Sequence, residues 1–577
     1  MNDIEQKPIE QEKPENLAEP DVSEQIEQTA KPATKQQSVA KSAGIVSIAV
    51  MFSRVLGLVR EMVFANFFGA GFLMDAYVVA FRIPNVLRDL FAEGALSAAF
   101  VKVFTDYQIN KSEGEAWRLA SLIFNALAVV LSIICIIGIL LSNQFINLIA
   151  DGFSPEKAHL AVVMTQIMFP FILLVALAAV AMGVLNTKGV FGVPASASTV
   201  FNIVSVIFGL IIAYLLAGGM WSKAMDKNAV PPDTAQWAII GMSIGTLIGG
   251  AAQLIMQIPS LYKVGFRFMP VLSFADEGVK KVMYLMAPAI IGTSAVQVNV
   301  LINTFFVSGI EGAQGWLSYS FRLMQFPIGI FGVAIGTASV PVLSRMASEG
   351  KFVDFRNTLS SSLNLVFLLT LPSACGLIVL GEPIIRLIYQ RGQFDAADTS
   401  MTAFALAGYS VGLTGYAAIK VLSPAFYAMS DAKTPMIIAL VSIVINALAS
   451  IGFRELFAPF GFGHAGVALA TSVVALVNFF ALAIIMRRKI KRLNGKEIFT
   501  SFVKIAVASA VMSVVCYASY HFLHSSLGAK TFVFKLLETF VPITLGGAVF
   551  VVIAKLVGVS EITKLYNIFA RKFGFAK

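Results

Sequence analysis

Apolar stretches long enough to cross a lipid hydrocarbon layer recur from one end of this 577-residue chain to the other. Crossing that layer as a helix takes about 20 mainly apolar residues. Inside it every backbone N–H and C=O must be satisfied within the protein, which only helices and closed barrels achieve. Measured against that length, the sequence gives fourteen helical segments, near 43–68, 75–107, 117–142, 159–186, 194–217, 235–259, 280–308, 314–346, 358–380, 399–429, 435–454, 465–487, 499–523 and 536–557. The expected fold class is therefore all-α, a polytopic membrane protein of about fourteen transmembrane helices. Charged residues make up 13% of the chain and the mean hydropathy is +0.80; soluble domains carry about 25% charged residues. The longest interruptions, 221–234, 266–279 and 382–399, leave no room for an appended soluble domain.

The formal net charge of +10 is spread over short connections and does not form a nucleic-acid patch, so no nucleic acid is expected as a partner. Lysines and arginines concentrate after even-numbered segments: Lys111, Lys188, Lys263, Arg267, Arg345, Lys351, Lys433 and the run Arg487, Arg488, Lys489, Lys491, Arg492. The other side holds few, such as Lys157, Lys223, Arg391 and Lys530. By the positive-inside rule the even-numbered side is cytoplasmic, which places both termini there. Residues 1–41 are rich in Glu, Gln, Lys and Pro without an apolar run, and read as a disordered cytoplasmic tail with no cleavable signal peptide.

Cys135, Cys375 and Cys516 lie within apolar runs and read as small buried hydrophobes. His159, His464, His521 and His524 stand at segment ends in no ligand pattern, so no metal site or cofactor is expected. No phosphate-cradling nucleotide loop and no catalytic motif is present, which argues for a transporter and against an enzyme.

A weak internal repeat organises the segments. Phe81-Arg82 aligns with Phe321-Arg322, Phe91 with Phe331 and Ser97-Ala98 with Thr337-Ala338, an offset of 240 residues that lays segment 2 on segment 8. An offset of six segments preserves orientation, so the halves form a parallel repeat, and such repeats place a substrate site between them. The expected organisation is a tail (1–41), an N-lobe of segments 1–6 (42–265), a C-lobe of segments 7–12 (266–490) and a C-terminal region of segments 13–14 with a cytoplasmic tail (491–577).

Charges inside membrane segments cost about 2.5–3.5 kcal/mol each at a helix centre, and so mark function. Segment 1 carries Arg54, Arg60 and Glu61; segment 2 carries Asp75, Arg82, Arg88, Asp89 and Glu93; segment 8 carries Arg322. Arg54 and Glu61 share a helix face two turns apart. Arg322 has no acid within two turns, so it calls for water, a partner on another helix or an anionic ligand. The competing account is snorkelling or local pairing, as in Arg60/Glu61 and Arg88/Asp89, and Arg82 is read as structural. Arginines around one cavity suit a phosphorylated substrate, because the guanidinium fork matches phosphate oxygens and stays charged. Pro84, Pro170, Pro288, Pro327, Pro341 and Pro372, with Gly329, Gly332 and Gly336, allow bending or unwinding beside a cavity, whereas Gly245 to Gly250 read as packing.

Several long motifs, in order, resemble the MurJ (MviN) family of lipid II flippases. They include Ser53-Arg54-Val55-Leu56-Gly57-Leu58-Val59-Arg60-Glu61, Phe68-Gly69-Ala70-Gly71 with Asp75-Ala76, and Phe81-Arg82-Ile83-Pro84-Asn85-Val86-Leu87-Arg88 leading to Phe91-Ala92-Glu93-Gly94. Arg322-Leu323-Met324, Glu382-Pro383-Ile384-Ile385-Arg386 and Asp431-Ala432-Lys433-Thr434-Pro435 also fit. The resemblance covers nearly everything after residue 42. It implies a member of the multidrug/oligosaccharidyl-lipid/polysaccharide exporter superfamily that moves lipid II outward across the cytoplasmic (inner) membrane by alternating access. It further implies that Arg54, Arg60, Arg88 and Arg322 receive the pyrophosphate, that Glu61, Asp75 and Glu93 gate or pair, and that segments 13 and 14 hold the polyprenyl tail. Lipid II and membrane lipids are the implied partners, with the cell-wall synthesis machinery a candidate. The chain departs from some relatives at Gln325, where they carry an acid, and at Asn303, where they carry an aspartate linked to sodium. Alternatives are an exporter of another polyprenyl-pyrophosphate sugar, a cation/drug antiporter that would depend on a carboxylate, and a scaffold that binds lipid II without moving it.

Overall fold

Each of the fourteen apolar segments falls on helix in a computed structural model that describes residues 31–91, 95–218, 232–528 and 531–562. In chain order the helices are α1 (Lys31–Phe68), α2 (Phe72–Phe91), α3 (Ala95–Asn110), α4 (Glu113–Leu140), α5 (Ser142–Ile149), α6 (Pro155–Met168) and α7 (Phe171–Thr187). Then come α8 (Gly192–Leu216), α9 (Pro232–Ile255), α10 (Ile258–Lys263), α11 (Glu277–Val307), α12 (Ala313–Pro327), α13 (Val333–Ser348) and α14 (Phe352–Val379). The last are α15 (Gly381–Ile388), α16 (Ala396–Ser410), α17 (Leu413–Ala428), α18 (Lys433–Phe457), α19 (Gly463–Lys489), α20 (Gly495–Leu527) and α21 (Phe532–Leu556). Among the described residues ten helices, or eleven if the bent α16–α17 pair is one span, are long and apolar enough to cross a membrane. Segments 1, 2 and 7 are helical too, and the first two are the ones that carry charge.

The first helix starts at Lys31, before the expected end of the tail at residue 41; residues 1–30 and Glu93 lie outside the described residues. Pro32 suits a helix's first turn, where a missing N–H costs nothing. At 1.5 Å per residue, α1 is about 57 Å long, so its polar start projects beyond a hydrocarbon layer about 30 Å thick.

The repeat has counterparts in the helices themselves. The short helix α5 precedes α6, which is N-capped by Ser154, and the short helix α15 precedes α16, N-capped by Asp395. Both following helices then break, at Phe169-Pro170 and at Val411-Gly412. Pro170 accounts for the first break, since its ring removes a helical N–H. These paired features support two similarly oriented halves.

One helix of the expected C-lobe, α11, packs on both halves. The first half of α11 packs Val279, Val282 and Met286 into a cluster with Leu96, Phe100, Phe104 and Leu119 of the N-terminal half. Lys281 also pairs with Asp106 at 2.7 Å. Its second half hydrogen-bonds α18 and α19 through Asn299 and Asn303. Small residues set the closest approaches elsewhere. A Cβ at Gly245 would stand 2.3 Å from Gly209 Cα, so α8 and α9 meet backbone to backbone.

Candidate functional site

Arg54 and Arg60 project from α1, Arg88 from α2 and Arg322 from α12, and all four line one cavity of about 320 Å³. Ser53, Ser198, Asn202, Gln253 and Gln325 add polar groups, and Phe171, Phe201 and Phe326 give it aromatic walls. Asn202 Nδ2 donates to Ser53 O at 3.2 Å, tying α8 to α1 beside the arginines.

The partners differ from what sequence spacing suggests. Glu61 makes no ion pair with its neighbour Arg60; its Oε1 accepts from Arg322 Nε at 2.5 Å, and its Oε2 accepts from Tyr389 Oη at 3.3 Å. The acid that Arg322 lacks on its own helix is thus supplied by α1. Arg88 does pair locally, donating to Asp89 Oδ1 at 2.7 and 3.1 Å, while Gln297 of α11 donates to Asp89 Oδ2 at 3.0 Å. Arg60 lies over the Phe201 ring, 5.1 Å from its centroid. Its Nε and Nη1 are buried and meet no hydrogen-bond acceptor among the described residues. Arg54 pairs with no acid among the described residues either. Its guanidinium rests on Gly329, where a Cβ would come within 2.1 Å of Nη1.

Gly329 belongs to a π-helical stretch, Ile328–Gly332, that follows Pro327. Widened turns of this kind concentrate at functional sites. Gly332 closes that widened stretch and meets Ala417, while Gly336 seats α13 against the Lys420 carbonyl of α17. Arg82 is not among the cavity-lining residues.

Asp75 is fully buried in the first turn of α2, at the other end of that helix from Arg88, and does not line the arginine cavity. Its carboxylate accepts from Lys157 Nζ at 3.2 Å and from the backbone N–H of Gly312 (2.7 Å) and Gly315 (3.2 Å) at the start of α12. A carboxylate at a helix N-terminus is favoured by the unsatisfied N–H groups and the dipole there. Nearby, Tyr319 Oη donates to Gly69 O, Trp316 Nε1 donates to Asp398 Oδ1, and Gln393 N donates to Asn66 O. The Tyr319 and Gln393 bonds knit the two halves together at this end, and the Trp316 bond ties α12 to α16 within the C-terminal half. Gly315 is required there, since a Cβ would stand 2.7 Å from Ala70 O. Neither Lys157 nor Tyr389 stands out in the sequence: Lys157 reads as a connection lysine, and Tyr389 follows the apolar pair Leu387-Ile388.

The Asn303 position forms a neutral network. Asn303 Nδ2 donates to Thr471 Oγ1 and its Oδ1 accepts from Asn446 Nδ2, both at 2.9 Å. Asn446 Oδ1 and Ser450 Oγ are buried without a donor. Among the described residues no three His, Cys, Asp or Glu side chains gather to hold a metal. With no carboxylate to offset a buried cation, transport rates in sodium and in potassium media are expected to match. A fall on removing sodium would overturn this reading.

A second recess, apolar and about 670 Å³, lies between α14, α20 and α21, lined by Leu368, Pro372, Gly376, Met512, Gly547 and Phe550.

A family model described as "Lipid II flippase MurJ" matches residues 64–538. Relatives include "Lipid II flippase MurJ" of Burkholderia cenocepacia, 35% identical over 451 residues covering 77% of this chain and 83% of that one. A "Probable lipid II flippase MurJ" of Vibrio cholerae is 35% identical over 83% of this chain and 89% of its own length. A Buchnera aphidicola protein of the same description is 32% identical over 90% and 98%. Among solved structures, "Lipid II flippase MurJ, inward closed conformation" superposes with a TM-score of 0.70 at 27% identity, covering 92% of this chain and 99% of that one. An inward-facing MATE family multidrug transporter of the MOP superfamily superposes with a TM-score of 0.63 at 13% identity, a likeness of fold alone.

Proposed function

This chain belongs to the lipid II flippase MurJ family, and from that premise we propose that it carries lipid II from the inner to the outer leaflet of the cytoplasmic membrane, with the pyrophosphate seated among Arg54, Arg60, Arg88 and Arg322. The observation that carries this reading is the charge balance around the cavity. Among the described residues Glu61 answers Arg322 and Asp89 answers Arg88, whereas Arg54 and Arg60 pair with no acid. Those two guanidinium groups match the two ionised oxygens of a pyrophosphate diester, which guanidinium groups bind through charge-assisted hydrogen bonds. Among the described residues the carboxylates beside the cavity arginines, Glu61 and Asp89, are already paired, which disfavours a cation/drug antiporter.

At about 320 Å³ the cavity is at the small end of ligand pockets. It accommodates the pyrophosphate and part of a sugar, so the lysine- and arginine-rich face has to open to admit the headgroup. That face is read as cytoplasmic, with both termini on it. Asp75, Lys157 and α12 then form the outward gate, closed here. The bridging helix α11 and the two halves supply the moving parts of alternating access. The apolar recess of α14, α20 and α21 suits the polyprenyl tail. Such a substrate places the protein beside the enzymes of cell-wall assembly.

Complementation of a bacterial strain depleted of its own lipid II flippase tests the reading. Growth and normal shape are expected from the wild-type chain. Failure of a correctly inserted protein would transfer the arginine cavity to another polyprenyl-pyrophosphate sugar.

A further inference from the structure

A third recess, about 750 Å³, lies outside this transport path. It is walled by the end of α19, the turn 490–494, the start of α20 and residues 558–561 beyond α21, and it shares no lining residue with the arginine cavity. Four cations line it: Arg487, Arg492, Lys496 and Lys504. Lys504 donates to the Gly558 carbonyl at 3.0 Å, which draws α20 to the segment after α21. Arg487, Arg492 and Lys496 pair with no acid among the described residues. Their neighbour Lys489 is engaged elsewhere: burial alone would raise the Asp431 carboxyl, yet Lys489 and Thr434 hold it at about 2. Two acids share the lining. Glu561 is buried and accepts from Asn364, Ser501 and Ser560, while Glu497 is exposed in the first turn of α20. The amides of that first turn also face no side-chain cap, because Asn494 makes none.

Apolar residues beside the recess fix its depth. Phe499 is 68% exposed one turn after Lys496, and Leu556 is 76% exposed just before Gly558. Apolar side chains this open belong in the acyl layer of a membrane-spanning protein, which sets the four cations at headgroup level. The apolar recess of α14, α20 and α21 includes Met512 of α20, about 12 Å along the helix from Lys504. A ligand here meets cations at one end and hydrocarbon at the other.

We propose that this recess binds the phosphate headgroup of an anionic phospholipid from the leaflet it faces, a site distinct from that of the transported lipid. Basic side chains at this depth recognise anionic headgroups through their charge, and the helix N-terminus adds N–H donors to the phosphate. A free phosphate shares the headgroup chemistry but gains nothing from Phe499 and Leu556, which is why the lipid is the occupant.

The test uses delipidated full-length protein titrated with phosphatidylglycerol, phosphatidylethanolamine or inorganic phosphate, with retained lipid read by native mass spectrometry. Phosphatidylglycerol is expected to bind more tightly than phosphatidylethanolamine. Its affinity should fall on the order of tenfold in an Arg492→Gln/Lys496→Gln variant. A Lys263→Gln/Lys280→Gln variant, which removes equal charge from exposed positions on the same face, should bind as wild type. Thermal unfolding without lipid checks that each variant is folded, and Arg487→Gln gives the same reading should the double variant fail that check. Equal losses in both double variants, or equal retention of the two lipids, would overturn the site. Displacement of the lipid by millimolar phosphate would make it a soluble-anion site and overturn the lipid assignment. Lipid II binding to the arginine cavity should persist in Arg492→Gln/Lys496→Gln, so failure of this site and failure of the flippase reading are separable.

Discussion

Replacing Arg60 with alanine is expected to abolish rescue of a flippase-depleted strain and to weaken lipid II binding to the purified protein by about 100-fold. Of the four cavity arginines, Arg60 has buried Nε and Nη1 atoms with no acceptor among the described residues. Burying a cation without an acceptor is costly, so the side chain is held ready for an anion arriving in the cavity. Phe201 covers one face of the guanidinium and leaves its edge for that anion. Arg60→Lys should also fail, because an ammonium keeps the charge but loses the planar fork that bonds two phosphate oxygens at once.

Arg322→Ala should fail for a second reason. It leaves the Glu61 carboxylate without its 2.5 Å partner, facing Tyr389 alone in the protein interior. A compensating Arg322→Ala/Glu61→Gln variant would recover folding but not binding, whereas Arg60→Ala leaves no carboxylate to compensate. Equilibrium binding of lipid II to detergent-solubilised variants separates the two. If Arg60→Ala binds and rescues as wild type, the pyrophosphate is not held by this cavity.

How far the sequence carries this picture depends on the distance over which each contact acts. Segment boundaries are written in local hydropathy, and the fourteen segments coincide with helices. The cavity arginines are legible because a charge in an apolar run needs no knowledge of its neighbours to look anomalous. Their partners are not. Glu61 is adjacent to Arg60 in the chain, yet helical geometry turns the two side chains about 100° apart, and Glu61 meets Arg322, 261 residues away. Lys157 looks like one more connection lysine until Asp75, 82 residues earlier, is seen to bury it. Gly336 reads as an unwinding point because composition does not distinguish a glycine that loosens a helix from one that lets another backbone approach. Helix α11 likewise belongs to both halves, since its two ends pack on different partners and no change in its own sequence marks the change of neighbour.

Asp75→Asn is expected to unlatch the outward end and trap the protein away from the closed conformer. The carboxylate is fully buried and serves three donors: the Lys157 ammonium and the N–H groups of Gly312 and Gly315. The amide's oxygen accepts from some of them, but its NH₂ would face donors, and Lys157 would keep its charge in a buried site without a counter-charge. Breaking a buried pair from one side costs about 3–5 kcal/mol, which is a shift of more than 100-fold in the balance between closed and open. The opposite conformer escapes that cost, because opening gives Lys157 water. Thiol labelling reads the shift directly. A cysteine introduced at Gly152, whose N–H bonds Ser308 Oγ across the same seam, would itself perturb the contact, so the probe belongs at the partly exposed Phe153. Labelling from outside should rise sharply in Asp75→Asn, and rescue should be lost. Adding Lys157→Met removes the stranded charge and should return labelling toward the wild-type level, because replacing both members of a buried pair costs far less than removing one. If Asp75→Asn labels as wild type, the two halves are held by the remaining seam bonds, and the carboxylate acts elsewhere in the cycle. If the double variant labels as strongly as the single one, the helix start at Gly312 and Gly315, and not the lysine, is what Asp75 holds shut.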